Sequence, residues 1–307
     1  MQSRYHAPRA LHELPLGWGP PSGQSGFRLM LEHLRRRAAL RRRQPMPESR
    51  LRYLLGSLAG WPRQAAWLRW VAASRDVRAA AELNPRLYER WRSHYISRGL
   101  DPAMRGRIVE AHYRFITREF PERLRERLLK GHDVRLATLP LGEGRMAYLH
   151  ARAPEDERSG ELGLYLLNGD KEVVSSCAIT FAGADGLLIG AVRGSWAYLG
   201  RGAMAGFTRA SGGMRPRDLL LSVVRALATY YGIQRIRGVS DAARPVERRA
   251  DGASTAHDPF WRRHGGTPGE DGFYEIPRLP VVTARAHVEA FGREACEVTL
   301  RAFARQA

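Results

Sequence analysis

Residues 212–241 read G-G-M-R-P-R-D-L-L-L-S-V-V-R-A-L-A-T-Y-Y-G-I-Q-R-I-R-G-V-S-D. Two glycines lead into a helix that opens on Pro216, whose missing N–H would be unpaired in a first turn, and that stops at Gly232. Leu219, Leu220, Val223, Val224, Leu227 and Tyr231 recur at helical spacing, so one stripe of the helix is predicted to pack on a sheet. A short strand then carries the chain to Ser240 and Asp241. Glycine turn, helix and strand, in that order, can hold a phosphate at a helix N-terminus.

Upstream, from Gly131, the pattern alternates. Asp133 to Leu139 and Arg145 to Ala151 read as two strands joined by Gly142-Glu143-Gly144. Glu161 to Leu167, Glu172 to Ala182 and Leu187 to Val192 extend them into an antiparallel meander, to which the Pro216 helix and its following strand are appended. Before Gly131 the period is helical. Phe27 to Arg43 places Phe27, Met30, Leu31, Leu34 and Ala38 on one face, with Arg35, Arg36, Arg37, Arg41, Arg42 and Arg43 around the rest. Such a helix suits an anionic membrane or RNA, and equally a packed helix with a solvated basic face. From Arg50 to Phe120 the helical pattern continues, with Trp61, Trp67, Trp70, Leu87, Tyr88 and Trp91 at intervals that fit base stacking or, more simply, a core. Residues 1–26, Gly- and Pro-rich from Pro15 to Pro21, read as disordered.

The chain of 307 residues has 50 basic against 31 acidic side chains, a formal charge of +19. Lys130 and Lys171 are its only lysines, so arginine carries the surplus. This favours contact with nucleic acid, anionic lipid or acidic ligands. Two cysteines, Cys177 and Cys296, form no disulfide framework or metal-ligand spacing. No apolar run has the length of a membrane span, so a soluble, cytoplasmic protein is expected. No Walker loop, Ser-His-Asp motif or zinc spacing occurs, which leaves ATPase and hydrolase readings without support.

Beyond Ser240, the segment H-D-P-F-W-R-R-H-G-G-T-P-G-E-D-G-F-Y-E-I-P (residues 257–277) adds a short helix and a last strand. The whole order resembles the GNAT-type acyltransferase fold. A closer resemblance is to the VirK/YbjX family of bacterial proteins, carried by H-Y-R-F from His112, G-E-L-G-L from Gly160, I-T-F ending at Phe181 and I-G-A-V-R-G from Ile189. It continues through G-M-R-P-R-D-L-L-L from Gly213, G-V-S-D from Gly238 and the block from Asp258. Together these cover about residues 85 to 280. The resemblance implies an α+β fold: an N-terminal helical region, then a GNAT-like mixed, mainly antiparallel sheet with a central helix. The expected plan is a leader (1–26), a basic helical region (27–130), the α/β domain (131–282) and a C-terminal helix (283–307). It also implies an association with virulence and envelope stress.

Acyl transfer to an amine needs an anchored donor, N–H groups facing the reacting carbonyl and a base for the incoming ammonium. Gly212, Gly213, Arg215 and Arg217 are the candidate anchor, with Arg193 and Ser195 at the end of the fifth strand close by. Glu161, Asp258, His264 and Tyr274 are the candidate acid/base groups. Acyl-CoA or charged tRNA is the expected co-substrate. The alternative is a non-catalytic accessory factor whose basic surface binds RNA or anionic membrane.

Overall fold

The computed structural model describes residues 26–40, 55, 58, 61–83, 87, 95–195, 199–245, 256–280 and 286–304. The expected leader, apart from Gly26, lies outside the described residues, as do Tyr88, Trp91 and the arginines at 41–43. The chain forms two compact units, divided between residues 90 and 91.

The first unit contains α1 (Gly26–Leu40), α2 (Trp61–Ala73) and α3 (Arg75–Leu83). Trp67 is 2% exposed, stacks on Trp70 with ring centres 5.0 Å apart, and donates its indole N–H to the Leu87 carbonyl at 3.1 Å. It is a core residue and offers no face to a base. In α1, Leu29 and Met30 turn inward while Phe27 and Leu31 stay exposed, so the buried face is rotated from the stripe expected.

The second unit begins with α4 (Pro102–Glu119) and α5 (Glu122–Leu129). Asp101 caps α4 by accepting the N–H groups of Ala103 at 2.6 Å and Met104 at 2.9 Å, and Pro102 occupies the first turn. The five-strand meander follows: β1 (Val134–Pro140), β2 (Met146–Arg152), β3 (Leu162–Leu167), β4 (Val173–Phe181) and β5 (Leu187–Arg193). Then come α6 (Gly200–Ala210), α7 (Pro216–Tyr230), β6 (Ile236–Val239), α8 (Asp258–Arg263), β7 (Thr267–Pro268), β8 (Phe273–Ile276) and α9 (Ala286–Arg301). The pattern did not announce α6, because Gly200, Gly202 and Gly206 lower helix propensity across its short length.

The strands form one mixed sheet of order β1-β2-β3-β4-β5-β6-β8-β7, antiparallel at every step except β5 with β6. The helices α4 to α9 all contribute to a core on one face. The predicted α7 stripe is buried there with Leu164, Ile179 and Ile189, each side chain contributing roughly 1.5–3 kcal/mol. Phe115 of α4 stacks on Phe181 of β4 at 4.1 Å and meets Tyr231 edge-on at 4.9 Å, tying α4 to the end of α7.

Two features set up a fork in this sheet. The register moves from Ala178–Ala191 to Ile179–Ile189, so Gly190 is an extra residue on β5. A β-carbon there would lie 2.0 Å from the Ser159 carbonyl oxygen, leaving room for glycine alone. The parallel pairing of β5 with β6 ends at Ile189–Gly238, although β5 runs on to Arg193. Beyond that point the two strands are no longer partners.

Candidate functional site

The backbone groups of β5 freed at the fork need new partners. The Val192 N–H finds one in the imidazole of His257, donating to Nε2 at 3.2 Å. His257 is fully buried and precedes α8. Its backbone N–H and that of Asp258 donate to the Asp241 carboxylate at 2.9 and 3.1 Å. Asp258 in turn accepts the Asp241 N–H at 2.8 Å. Asp241, just past β6, thus caps a helix that carries His rather than Ser, Thr, Asn or Asp at its own N-cap. Burial raises the Asp241 carboxyl, but these two amides together with nearby charges, Arg244 among them, leave the group below the ordinary range.

Because Nε2 accepts, the neutral His257 ring carries its proton on Nδ1. Among the described residues Nδ1 has no hydrogen-bond partner. Burial, then the Arg244 and Arg217 cations, outweigh Asp241 and push this imidazole down to about 3. It stays neutral at physiological pH.

Three guanidiniums surround the fork. Arg193, opposite Ser176, lies 3.5 Å from Glu155, 3.6 Å from Asp156 and 3.5 Å from the Ser159 hydroxyl. Arg244 lies 3.6 Å from Asp241 and within electrostatic reach of Arg193 and Asp156. Arg217, in the first turn of α7, lies 4.2 Å over the Phe260 ring. Its Nε and Nη2 are buried and have no partner among the described residues. Burial and then Arg263 bring it down to about 10, still a cation near neutrality. Cys177 also interacts with it, but burial pushes that thiol up to about 12, so it is uncharged. Pro154, Glu155, Asp156, Ser159, Tyr165 and Arg193 line a shallow depression beside the fork.

The structure brings three of the candidate residues to the fork: Arg193, Arg217 and Asp258. Arg215 is the exposed N-cap of α7 and makes no side-chain cap. Ser195 lies just past β5, its N–H directed at the Met204 sulfur at 3.5 Å. The N–H groups of Gly212 and Gly213 bond Arg209 at 3.2 Å and Thr208 at 2.7 Å, the paired closure that ends α6. Those amides are therefore engaged, and Arg217 carries buried side-chain donors that are unpaired among the described residues.

The remaining candidates occupy neighbouring positions. His264 ends α8, with Nε2 3.1 Å from Asp218, which also holds Arg263 at 2.6 Å. Burial pushes the Asp218 carboxyl up, but His264 and Arg263 bring it below its ordinary value. Tyr274 lies on β8 opposite Gly238, its hydroxyl in electrostatic contact with Asp258 and Arg262. Glu161 turns to α4, where its carboxylate accepts the Tyr113 hydroxyl at 2.8 Å. His257 and Arg244 were missed. The available signal was a helix opening on Asp-Pro without a capping residue before it, which requires a cap from elsewhere.

Fold and site together define a mixed α+β protein with an eight-strand, mainly antiparallel sheet and a cationic fork at its one parallel pair. A family model described as "Protein of unknown function (DUF535)" matches residues 42–290, and the chain belongs to that family, which is the VirK/YbjX family. No curated protein and no solved structure matches it significantly. Among the described residues no helix is long and apolar enough to cross a membrane, and no His, Cys, Asp and Glu cluster could hold a metal ion.

Proposed function

We propose that this chain is an acyl- or aminoacyl-transferring protein on a GNAT-like core, with the β5–β6 fork as the place where donor and acceptor meet. The observation that carries this reading is the parting of the single parallel pair beside the N-terminus of α7. Ligands of open sheets with parallel strands favour such a crevice at the strands' carboxyl ends. The donor's phosphates face Arg215, Arg217 and the first turn of α7. An amine acceptor faces Glu155 and Asp156, whose carboxylates flank Arg193. One of them takes the ammonium proton, the freed amine attacks the carbonyl carbon, and the bond from that carbon to the donor's oxygen or sulfur breaks as that atom takes up the second proton the amine sheds. Cys177, protonated and buried, does not serve as an intermediate acyl carrier.

Engagement of both glycine amides in closing α6 favours a donor gripped by guanidiniums over one wrapped by a glycine loop. Charged tRNA fits that preference and the charge of +19 better than acyl-CoA. The test is mass spectrometry of what co-purifies with the protein at low and high salt, together with transfer assays on Arg215→Ala and Asp258→Asn. Charged tRNA released by salt supports the aminoacyl form. A retained acyl-CoA lost in Arg215→Ala supports the acyl-CoA form.

The second reading is a non-catalytic factor that binds RNA or an anionic membrane. The exposed Arg28 and Arg35 on α1 beside exposed Phe27 and Leu31 favour it. Neither donor co-purifying, with binding lost on neutralising residues 35–43, would put this reading ahead.

A further inference from the structure

We propose that Arg217 and His257 form a seat for a single oxyanion, a phosphate or carboxylate group of a ligand that enters the fork. Buried polar groups are ordinarily paired, and each exception calls for a reason. Here two exceptions, one on α7 and one at the start of α8, lie within electrostatic reach of each other. Among the described residues, Arg217 leaves Nε and Nη2 unsatisfied, and fully buried His257 leaves Nδ1 unsatisfied. The two side chains interact electrostatically.

Among the described residues Asp218 and Asp241 attract the Arg217 charge only at a distance, and neither contacts it. Asp218 is taken by Arg263 at 2.6 Å and His264 at 3.1 Å. Asp241 is taken by the amides of His257 and Asp258 and by Arg244 at 3.6 Å. The Cys177 thiol is neutral. A cation with no contact ion pair among the described residues, packed over the Phe260 ring, is in a costly position unless an anion completes it.

The donor set defines the ligand. Arg217 and the His257 Nδ1–H donate only, so their partner must be an acceptor, and the unanswered charge makes it an anion. The α7 N-terminus, with Arg217 in its first turn, adds attraction of the same sign. Both donors are held in place, His257 by Val192 and the Asp241–Asp258 exchange, and Arg217 by α7 and Phe260. The assignment rests on the fork and needs no acyl transfer, so it stands or falls separately from the function proposed above.

The experiment is thermal unfolding of the full chain in chloride, inorganic phosphate or acetate at equal ionic strength. Four proteins are compared: wild type, Arg217→Met, His257→Gln and the surface control Arg235→Met. Gln at 257 keeps an acceptor for the Val192 N–H and removes the Nδ1 donor. The expected result is a rise in wild-type Tm of about 3 °C or more over chloride. A rise with phosphate alone assigns a phosphate group, and a rise with acetate alone assigns a carboxylate. The rise should persist in Arg235→Met and vanish in Arg217→Met and His257→Gln. Arg217→Met should also melt higher than wild type in chloride, because it removes a half-buried charge with no contact ion pair among the described residues. No rise in wild type, or a rise retained in Arg217→Met, overturns the proposal. If His257→Gln does not fold, the Arg217→Met comparison decides alone.

Discussion

Asp241 and Asp258 exchange hydrogen bonds: the Asp241 carboxylate accepts the Asp258 N–H at 3.1 Å, and the Asp258 carboxylate accepts the Asp241 N–H at 2.8 Å. Together with the His257 N–H on Asp241, this joins the end of β6 to the start of α8. At position 258 the acceptor that holds the fork can be separated from the carboxylate charge. Asp258→Asn retains an acceptor oxygen for the Asp241 N–H, whereas Asp258→Ala does not. Urea denaturation should show Asp241→Ala and Asp258→Ala weakened by about 1–2 kcal/mol, the worth of a lost cap, with Asp258→Asn close to wild type. A transfer activity lost in the stable Asn variant would then report on the charge.

Acid should destabilise the protein through His257. The unfolded imidazole titrates near 6.5, whereas in the fold it is pushed down to about 3. Between these values the unfolded state holds the extra proton, so stability falls as pH falls, by about 1.4 kcal/mol per unit for this one group. Above 6.5 it contributes no pH dependence. The groups facing the ring are Arg244, Arg217, Asp241 and the Val192 N–H. Carboxylates elsewhere also titrate in acid, so the quantity to measure is the difference between wild type and His257→Gln from pH 7 to 5. A shallower slope in the variant is expected, and parallel slopes would refute the buried neutral ring.

Both cysteines should be inert in the folded chain. Thiolate is the reactive form, and burial pushes Cys177 to about 12, while burial and Glu297 do the same for Cys296. Iodoacetamide at neutral pH, read by mass spectrometry, should label neither in native protein and both after denaturation. Rapid native labelling of Cys177 would contradict its packing against the core.

Gly190→Ala tests the bulge. The added methyl would sit 2.0 Å from the Ser159 carbonyl oxygen and 2.8 Å from its carbon, so the backbone around Ser159 must retreat. Overpacking of this kind costs about 1–3 kcal/mol. Because Ser159 and Asp156 hold Arg193, the variant should also disturb the acidic wall of the fork. Denaturant midpoints give the first effect and transfer assays the second.

The five meander strands and the Pro216 helix were legible to within a residue or two. Period-two alternation and period-3.6 stripes are local signals, and both were backed by the turn and stop residues around them. The fork residues were legible in part. Arg193, Arg217 and Asp258 belong to quoted motifs, but His257 reads as one more polar residue before Asp-Pro. Its role depends on a freed amide of β5, 65 positions away in the chain. The Gly212-Gly213 pair shows the reverse problem. A glycine turn before a helix looks the same whether its amides await a phosphate or close the helix behind it, and only α6, hidden by its own glycines, decides between them.

The single parallel pairing has a consequence for how the chain reaches its native state. Strands β1 to β5 join through short turns and gain their contacts cheaply, whereas β5 meets β6 only after α6 and α7 have been traversed and docked. Closure of that long loop is thus expected late, with α8 and β8 after it. The fork is therefore expected to form last, and a chain halted at the meander would carry a formed sheet without it.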